Sequence, residues 1–295
     1  MEIQNNIALK PLTWMKVGGP ADYYAEVRTK DELQEAYAFA QEKNLPILYI
    51  GQGSNMILPD EGIRGLVIRL MNKDFEIYMN HSEDNALLSV EAGMILAKLI
   101  RECRKQRLNG LDNFVGIPGV MGAALSGNIG IPEEEIGELV TEVEIFDGKE
   151  FRVMTPEECE FRYRDSKIKD EYWLVWSMKL LIRKGDPPHK DDWLLERVAK
   201  QPKGHSCGSF FKNPDPENAL YAGKLIDEAG LKGKYIGGAL ISELHGNFLM
   251  NDGTGTATEI LELARQVKQE ILDKKGVLLE NEVLVYDQFC QLVQI

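Results

Sequence analysis

The feature that most constrains this chain is a stretch with almost no side-chain bulk, Gly116-Ile117-Pro118-Gly119-Val120-Met121-Gly122-Ala123-Ala124-Leu125-Ser126-Gly127-Asn128. Backbone this bare either packs closely against another element or leaves room for a flat ligand, because glycine lacks the Cβ that holds a neighbour away. Both readings stay open on these residues, and the pyrophosphate and rings of a dinucleotide would suit the second. Another glycine segment, Ile50-Gly51-Gln52-Gly53-Ser54-Asn55, follows the short apolar run at 47–50. Its glycines permit the positive φ values of an anion nest, and equally those of a plain tight turn. It is neither a Rossmann fingerprint, since no third glycine opens a helix, nor a Walker loop, since the Gly-Lys-Ser/Thr ending is missing.

Around these segments the apolar spacing alternates between helix and strand. Residues 23–27 read as a strand, Leu33, Ala36, Tyr37 and Ala40 as a helix face, and 47–50 as a buried strand. Further strands are expected at 67–68 and 86–90. Leu96, Leu99, Ile100 and Cys103 form one face of a helix that should end near Asn109-Gly110. The stretches 140–146 and 173–181 alternate as antiparallel strands. Asp186-Pro187-Pro188 breaks the pattern, because two prolines cannot continue a central strand, and places the main boundary there. Beyond it, a short helix at 222–229 capped by Gly230 is expected. A longer helix follows, with Ile260, Leu261, Ala264, Val267 and Ile271 on one face and Gly276 as its cap, then a final strand at 277–286.

A chain of 295 residues exceeds the usual size of one core, so two or three compact lobes are the default. The 44% hydrophobic and 27% charged composition is that of a folded globular protein. A net charge of −13 with no basic stripe argues against a nucleic-acid partner. The four cysteines, Cys103, Cys159, Cys207 and Cys290, are scattered, so reduced thiols are expected rather than a zinc site or disulfide framework; the four histidines form no metal-ligand spacing either. No apolar run approaches membrane-spanning length and the first six residues lack signal-peptide character, so a cytoplasmic location without a membrane partner is expected.

Several polar residues stand where chemistry could be done. Gly208-Ser209-Phe210-Phe211-Lys212-Asn213-Pro214 sets a hydroxyl, an ammonium and a carboxamide between apolar rings, which suits either an anionic ligand or an ordinary turn. No Gly-x-Ser-x-Gly elbow surrounds Ser209, which disfavours a hydrolase. Arg164, after Tyr163, offers a planar fork for a carboxylate, though surface ion pairs are the commoner use of arginine. On an extended strand Glu280 and Glu282 would share a face, so at least one would need a partner or a function.

Taken in order, several motifs resemble the UDP-N-acetylenolpyruvoylglucosamine reductase family: Thr13-x-x-x-Val17-Gly18-Gly19-Pro20-Ala21, Gly51-x-Gly53-Ser54-Asn55, Gly116-Ile117-Pro118-Gly119, Tyr163-Arg164-x-Ser166, Gly208-Ser209-Phe210-Phe211-Lys212-Asn213-Pro214, Gly223-Lys224-Leu225-Ile226 and Glu280-x-Glu282-Val283. They span nearly the whole chain. The resemblance implies an α+β protein with an FAD-binding region of the vanillyl-alcohol-oxidase type at 1–188, in lobes of about 1–69 and 70–188. A smaller α+β substrate domain would occupy 192–295.

It also implies FAD and NADPH as cofactors and reduction of UDP-N-acetylenolpyruvoylglucosamine to UDP-N-acetylmuramate in peptidoglycan precursor synthesis. Ser209 would be the acid, with Arg164 and Glu282 stabilising the enol-like intermediate. Gly51, Gln52, Gly53, Ser54, Asn55 and Met56 would hold FAD together with Gly116, Ile117, Pro118, Gly119, Gly122 and Ala123. Tyr163, Lys212, Asn213 and Lys224 would bind the UDP-sugar. The chain resembles the shorter family form without a tyrosine-bearing lid, and a monomer is expected. It departs from the family pattern at Trp14, Gln52, Ala123, Leu284 and the run Ile129-Gly130-Ile131-Pro132. The competing readings are a flavin oxidase of sugars or alcohols from the same superfamily and a nucleotide-sugar binding module without catalysis.

Overall fold

A computed structural model describes residues 1–131, 134–186 and 201–295. The chain divides into two compact units. One takes residues 1–26 and 38–68 together with 201–295; the other takes 27–37 and the described residues from 69 to 186. Most of the expected first lobe, residues 1–26 and 38–68, thus shares a unit with residues 201–295, although they lie at opposite ends of the sequence. The expected boundary at Pro187-Pro188 and the start near 192 lie outside the described residues.

In the first unit an antiparallel pair, Ile3–Ala8 with Pro20–Val27, extends through Ile63–Leu70 to Ile47–Ile50. A second sheet runs in the order His205–Ser209, Phe248–Asn251, Ala239–Ile241, Tyr235–Ile236, and the helix Ala257–Lys275 packs on it. That helix forms where its sequence says it should. Thr256 and Glu259 make a reciprocal capping box, Ile260, Leu263, Ala264, Val267 and Ile271 are buried, and Gly276 at φ +68 ends it. Asp60, just beyond the first glycine loop, accepts hydrogen bonds from the N–H groups of Ala257 (2.8 Å) and Thr258 (2.9 Å), so the helix start is tied to that loop's exit. Thr256→Ala should destabilise the protein by about 1 kcal/mol, read as a lower midpoint in thermal unfolding, with Asp60 holding the remaining amides.

The second unit is built on one antiparallel sheet in the order Phe151–Met154, Val140–Phe146, Leu174–Lys184, Asn85–Glu91, Phe75–Tyr78. Its inward residues, among them Leu88, Val90, Val143, Ile145, Met178 and Leu180, join the apolar face of the helix Leu96–Lys105 and the short helix Met121–Ser126 in one core. Burying such side chains is worth roughly 1.5–3 kcal/mol each.

Two expected boundaries move. The helix carrying Leu96, Leu99, Ile100 and Cys103 stops at Lys105 rather than near Asn109, because Arg107 turns left-handed at φ +55 and Leu108–Asn109 pairs with Lys184 and Arg183. The expected final strand at 277–286 shrinks to Leu284–Val285, because residues 280–283 bond instead to the chain around Phe210.

All four cysteines are buried free thiols, and burial pushes each up to about 12. Among the described residues no group of His, Cys, Asp or Glu side chains could hold a metal, and no helix is long and apolar enough to cross a membrane.

Candidate active site

The strand Ile47–Ile50 delivers the chain into the turn Gly51-Gln52-Gly53-Ser54-Asn55. It leaves as Met56–Ile57, parallel to Leu284–Val285. Gly53 sits at φ +61, and a Cβ there would lie 2.3 Å from the Leu12 carbonyl oxygen and 2.8 Å from the Thr13 Cα, so only glycine fits. Its carbonyl accepts the Trp14 N–H at 2.9 Å. Among the described residues, the backbone N–H groups of Gly51, Gly53 and Asn55 donate to no protein acceptor. Gly53 is buried, Gly51 half-buried and Asn55 exposed, and amides left this way are suited to an acceptor from outside the chain. Met56, expected to belong with them, instead turns its side chain into an apolar cluster with Leu48, Ile50 and Leu58.

Ser209 ends the strand His205–Ser209, opposite Phe248. The register shifts between Ser206 and Ser209, with Gly208 at φ +77, which is a bulge of the kind that re-aims a side chain. The next two residues, Phe210 and Phe211, are fully buried and meet edge to face at 5.1 Å. Asn247 clamps this stretch. Its Oδ1 accepts the Phe211 N–H (2.9 Å), its Nδ2 donates to the Phe211 carbonyl (2.8 Å), and its own carbonyl accepts the Phe210 N–H (2.8 Å).

The Glu282 segment is held from two sides. The Glu282 N–H donates to the Phe210 carbonyl (2.9 Å) and the Lys212 N–H to the Glu280 carbonyl (2.8 Å), which lays 280–283 beside the residues following Ser209. On the other side the Asn55 side chain donates to the Glu282 carbonyl (3.2 Å), and the Leu284 N–H donates to the Asn55 carbonyl (3.1 Å). The first glycine turn, Ser209 and Glu282 are thus brought to one place. Glu280 is exposed and Glu282 half-buried, so the two carboxylates do not share one environment, because residues 280–283 are not a regular strand.

The expected sugar-binding residues separate by use. Lys212 is half-buried on this stretch. Asn213 has its side-chain oxygen engaged by the Ala222 N–H (3.2 Å), at the start of the helix Ala222–Glu228. Lys224, on that helix, is exposed and 4.0 Å from Glu228 Oε1. His245 lies against the Phe248 ring and accepts the Asn247 N–H at Nδ1 (3.2 Å); burial lowers its pKa and keeps it neutral.

In the second unit the bare segment forms a loop and a short helix. Gly116 (φ +83) and Gly119 (φ +137) take conformations that favour glycine. Gly116 and Pro118 are exposed, Ile117 is half-buried, and Gly119 is buried, its carbonyl accepting the Leu96 N–H (3.1 Å). Gly122 is needed for packing, since a Cβ would meet the Ala92 Cβ at 2.7 Å; the next residue, Ala123, is exposed. Tyr163 and Arg164 occupy the tip of a tight turn closed by paired backbone bonds between Arg162 and Asp165 (2.9 and 3.0 Å). Arg164 sits at φ +58, its Nη2 donates to the Gly130 carbonyl (2.7 Å), and its guanidinium lies 5.0 Å from the centre of the Tyr163 ring.

Of these supports, Asn247 and Asp60 escape the sequence reading. The available signal for Asn247 is a lone amide followed by the apolar pair Phe248-Leu249. For Asp60 none exists, because its helix lies 197 residues away.

A profile of the UDP-N-acetylenolpyruvoylglucosamine reductase C-terminal domain matches residues 200–286, and one of an FAD binding domain matches residues 21–151. The UDP-N-acetylenolpyruvoylglucosamine reductase of Anoxybacillus flavithermus is 37% identical over 292 residues, covering 95% of this chain and 93% of its own. That of Clostridioides difficile is 35% identical over 277 residues, covering 92% and 88%. The crystal structure of the Thermus caldophilus reductase superposes with a TM-score of 0.78 at 35% identity, covering 97% of this chain and 99% of that one. The chain belongs to the UDP-N-acetylenolpyruvoylglucosamine reductase family, the FAD-dependent oxidoreductases of peptidoglycan precursor synthesis.

Proposed function

We propose that this chain converts UDP-N-acetylenolpyruvoylglucosamine, NADPH and a proton to UDP-N-acetylmuramate and NADP+, with Ser209 passing the proton to C2 of the enolpyruvyl group. The observation that carries the reading is the backbone pairing of the Phe210–Lys212 stretch with residues 280–283, which lays the Glu282 segment beside the residues following Ser209, next to the first glycine turn.

Two features support a fit to FAD. Among the described residues the amides of Gly51, Gly53 and Asn55 have no protein acceptor, in a turn where a side chain at Gly53 would clash, which suits a phosphate. The exposed Gly116 and Ala123 let a flat ring system approach the backbone closely. These residues, with Gln52, Ser54, Ile117, Pro118, Gly119 and Gly122, would hold the cofactor; Met56 contributes packing behind the turn. When bound, FAD supplies the hydride carriage between NADPH and C3 of the enolpyruvyl group.

The chain's own residues supply binding and proton control. Arg164 would hold the substrate carboxylate with its planar fork and spread the negative charge that develops on the enol-like intermediate. Glu282 would act on the same charge and help return a proton to Ser209. A serine is a weak acid, so its position against a strongly basic carbanion, and not its own pKa, makes it effective. Tyr163, Lys212 and Lys224 would contact the UDP-sugar, with Lys224 suited to a phosphate by its exposure. Asn213 would contribute through its amide nitrogen, since its oxygen caps a helix. The protein is proposed to be a cytoplasmic monomer of the shorter family form, without a tyrosine lid.

The test is anaerobic. The purified protein should be yellow, bleach with NADPH, and be reoxidised promptly by UDP-N-acetylenolpyruvoylglucosamine. Reoxidation by oxygen alone would favour the oxidase reading, and a protein that binds the nucleotide-sugar without reoxidation would favour a binding module.

A further inference from the structure

We infer that Asn128 is a positioning residue for Arg164, locking the Tyr163-Arg164 turn onto the end of the bare glycine helix. This rests on the role proposed above for Arg164. Asn128 is 1% exposed and takes φ +41 just after the helix Met121–Ser126. All its side-chain polar atoms are engaged. Nδ2 donates to Glu135 Oε2 (2.6 Å) and to the Arg162 carbonyl (3.0 Å), while Oδ1 accepts the Gly137 N–H (3.0 Å).

One amide thus joins three pieces of chain: the helix end, the segment after it, and the turn that carries Arg164. The approach is close. A Cβ on Gly137 would meet the Phe161 ring at 2.7 Å and Asn128 Oδ1 at 2.9 Å, so the segment is pressed against both the turn's entry and the amide. Two further bonds complete the fastening. Arg164 donates to the carbonyl of Gly130, two residues beyond Asn128, and the Ser166 hydroxyl donates to the Ser126 carbonyl (2.7 Å).

A two-residue turn with Tyr163 exposed and Arg164 half-buried would by itself be among the less rigid parts of a fold. Here a buried, fully satisfied amide makes it continuous with the helix, which is the support that a charge-stabilising side chain needs in order to act without reorganising. Aspartate has nearly the same shape but no donor, so it would keep the Gly137 bond while setting a carboxylate against Glu135 and the Arg162 carbonyl.

N128D, with flavin restored to full occupancy, is expected to weaken substrate binding in calorimetry and lower turnover with substrate by about 100-fold, the scale of a displacement of about 1 Å at a reacting centre. Bleaching by NADPH should stay within twofold of wild type. Adding E135Q should recover at least tenfold of the loss, because the glutamine amide can donate where N128D can only accept. In an R164A background N128D should cost nothing more, since both changes act on one contact. Equal losses from N128D with and without Arg164, or no recovery with E135Q, would overturn the inference. Unchanged turnover in R164A alone would instead sink the role of Arg164 and leave the fastening as architecture.

Discussion

Ser209→Ala should bind flavin normally and bleach normally with NADPH, yet form UDP-N-acetylmuramate about 10²–10⁴ times more slowly than wild type. The change removes only the hydroxyl at the end of the strand His205–Ser209. The features that shape this place stay intact: Gly208 at φ +77 still forms the bulge, Phe210 and Phe211 still fill the core, and Asn247 still clamps Phe211. Loss of folding is therefore not expected, and a melting midpoint within about 2 °C of wild type serves as the control. Without the hydroxyl, C2 must take its proton from a poorly placed donor, so the slow step moves to protonation. Single-turnover conversion of the substrate, followed anaerobically by product formation beside flavin reoxidation, separates this half of the reaction from reduction by NADPH. A rate within twofold of wild type would remove Ser209 from the chemistry, and Glu282 would then be the next proton donor to test, because its segment is bonded directly to Phe210.

Gly53→Ala is expected to do its damage before chemistry begins. A side chain at φ +61 costs about 1–2 kcal/mol in the left-handed region. The new methyl group would also lie 2.3 Å from the Leu12 carbonyl, so the turn or the 10–13 segment must move, adding about 1–3 kcal/mol of overpacking. That displacement falls on the amides proposed to receive a phosphate. Flavin content after purification should drop by at least tenfold, together with a lower melting midpoint. Gly230→Ala separates the two causes. Gly230 has a similar φ of +73 but nothing within 4 Å of its built Cβ, so it should show the dihedral cost with full flavin content. Equal flavin loss in both variants would mean that the first turn takes no part in holding the cofactor.

The elements that sequence could place are those whose causes are local. The helix Ala257–Lys275 was legible because Thr256, Glu259, the apolar face and Gly276 all lie within one stretch. The strands Ile47–Ile50 and Val140–Phe146 were legible from four to seven residues of apolar pattern. The same reading failed at 277–286, where the alternation is real but the partner changes along the segment, from the Phe210 stretch to Met56–Ile57. It failed at 106–109 because a left-handed Arg107 and a ladder with Leu174–Lys184 outweighed the helical pattern.

By itself the sequence determined the family and the α+β class, because ordered motifs and short-range periodicity are written along the chain. Tertiary structure alone decided which residues meet. Asn55 reaches Glu282 across 227 positions, Asp60 caps a helix 197 residues away, and Asn128 holds the Arg162 carbonyl across 34. It also set residues 1–26, 38–68 and 201–295 in one unit. The physical reason is the same in each case. A buried amide, carboxylate or backbone N–H must find a partner wherever the fold brings one, and nothing in the neighbouring residues says how far along the chain that partner lies.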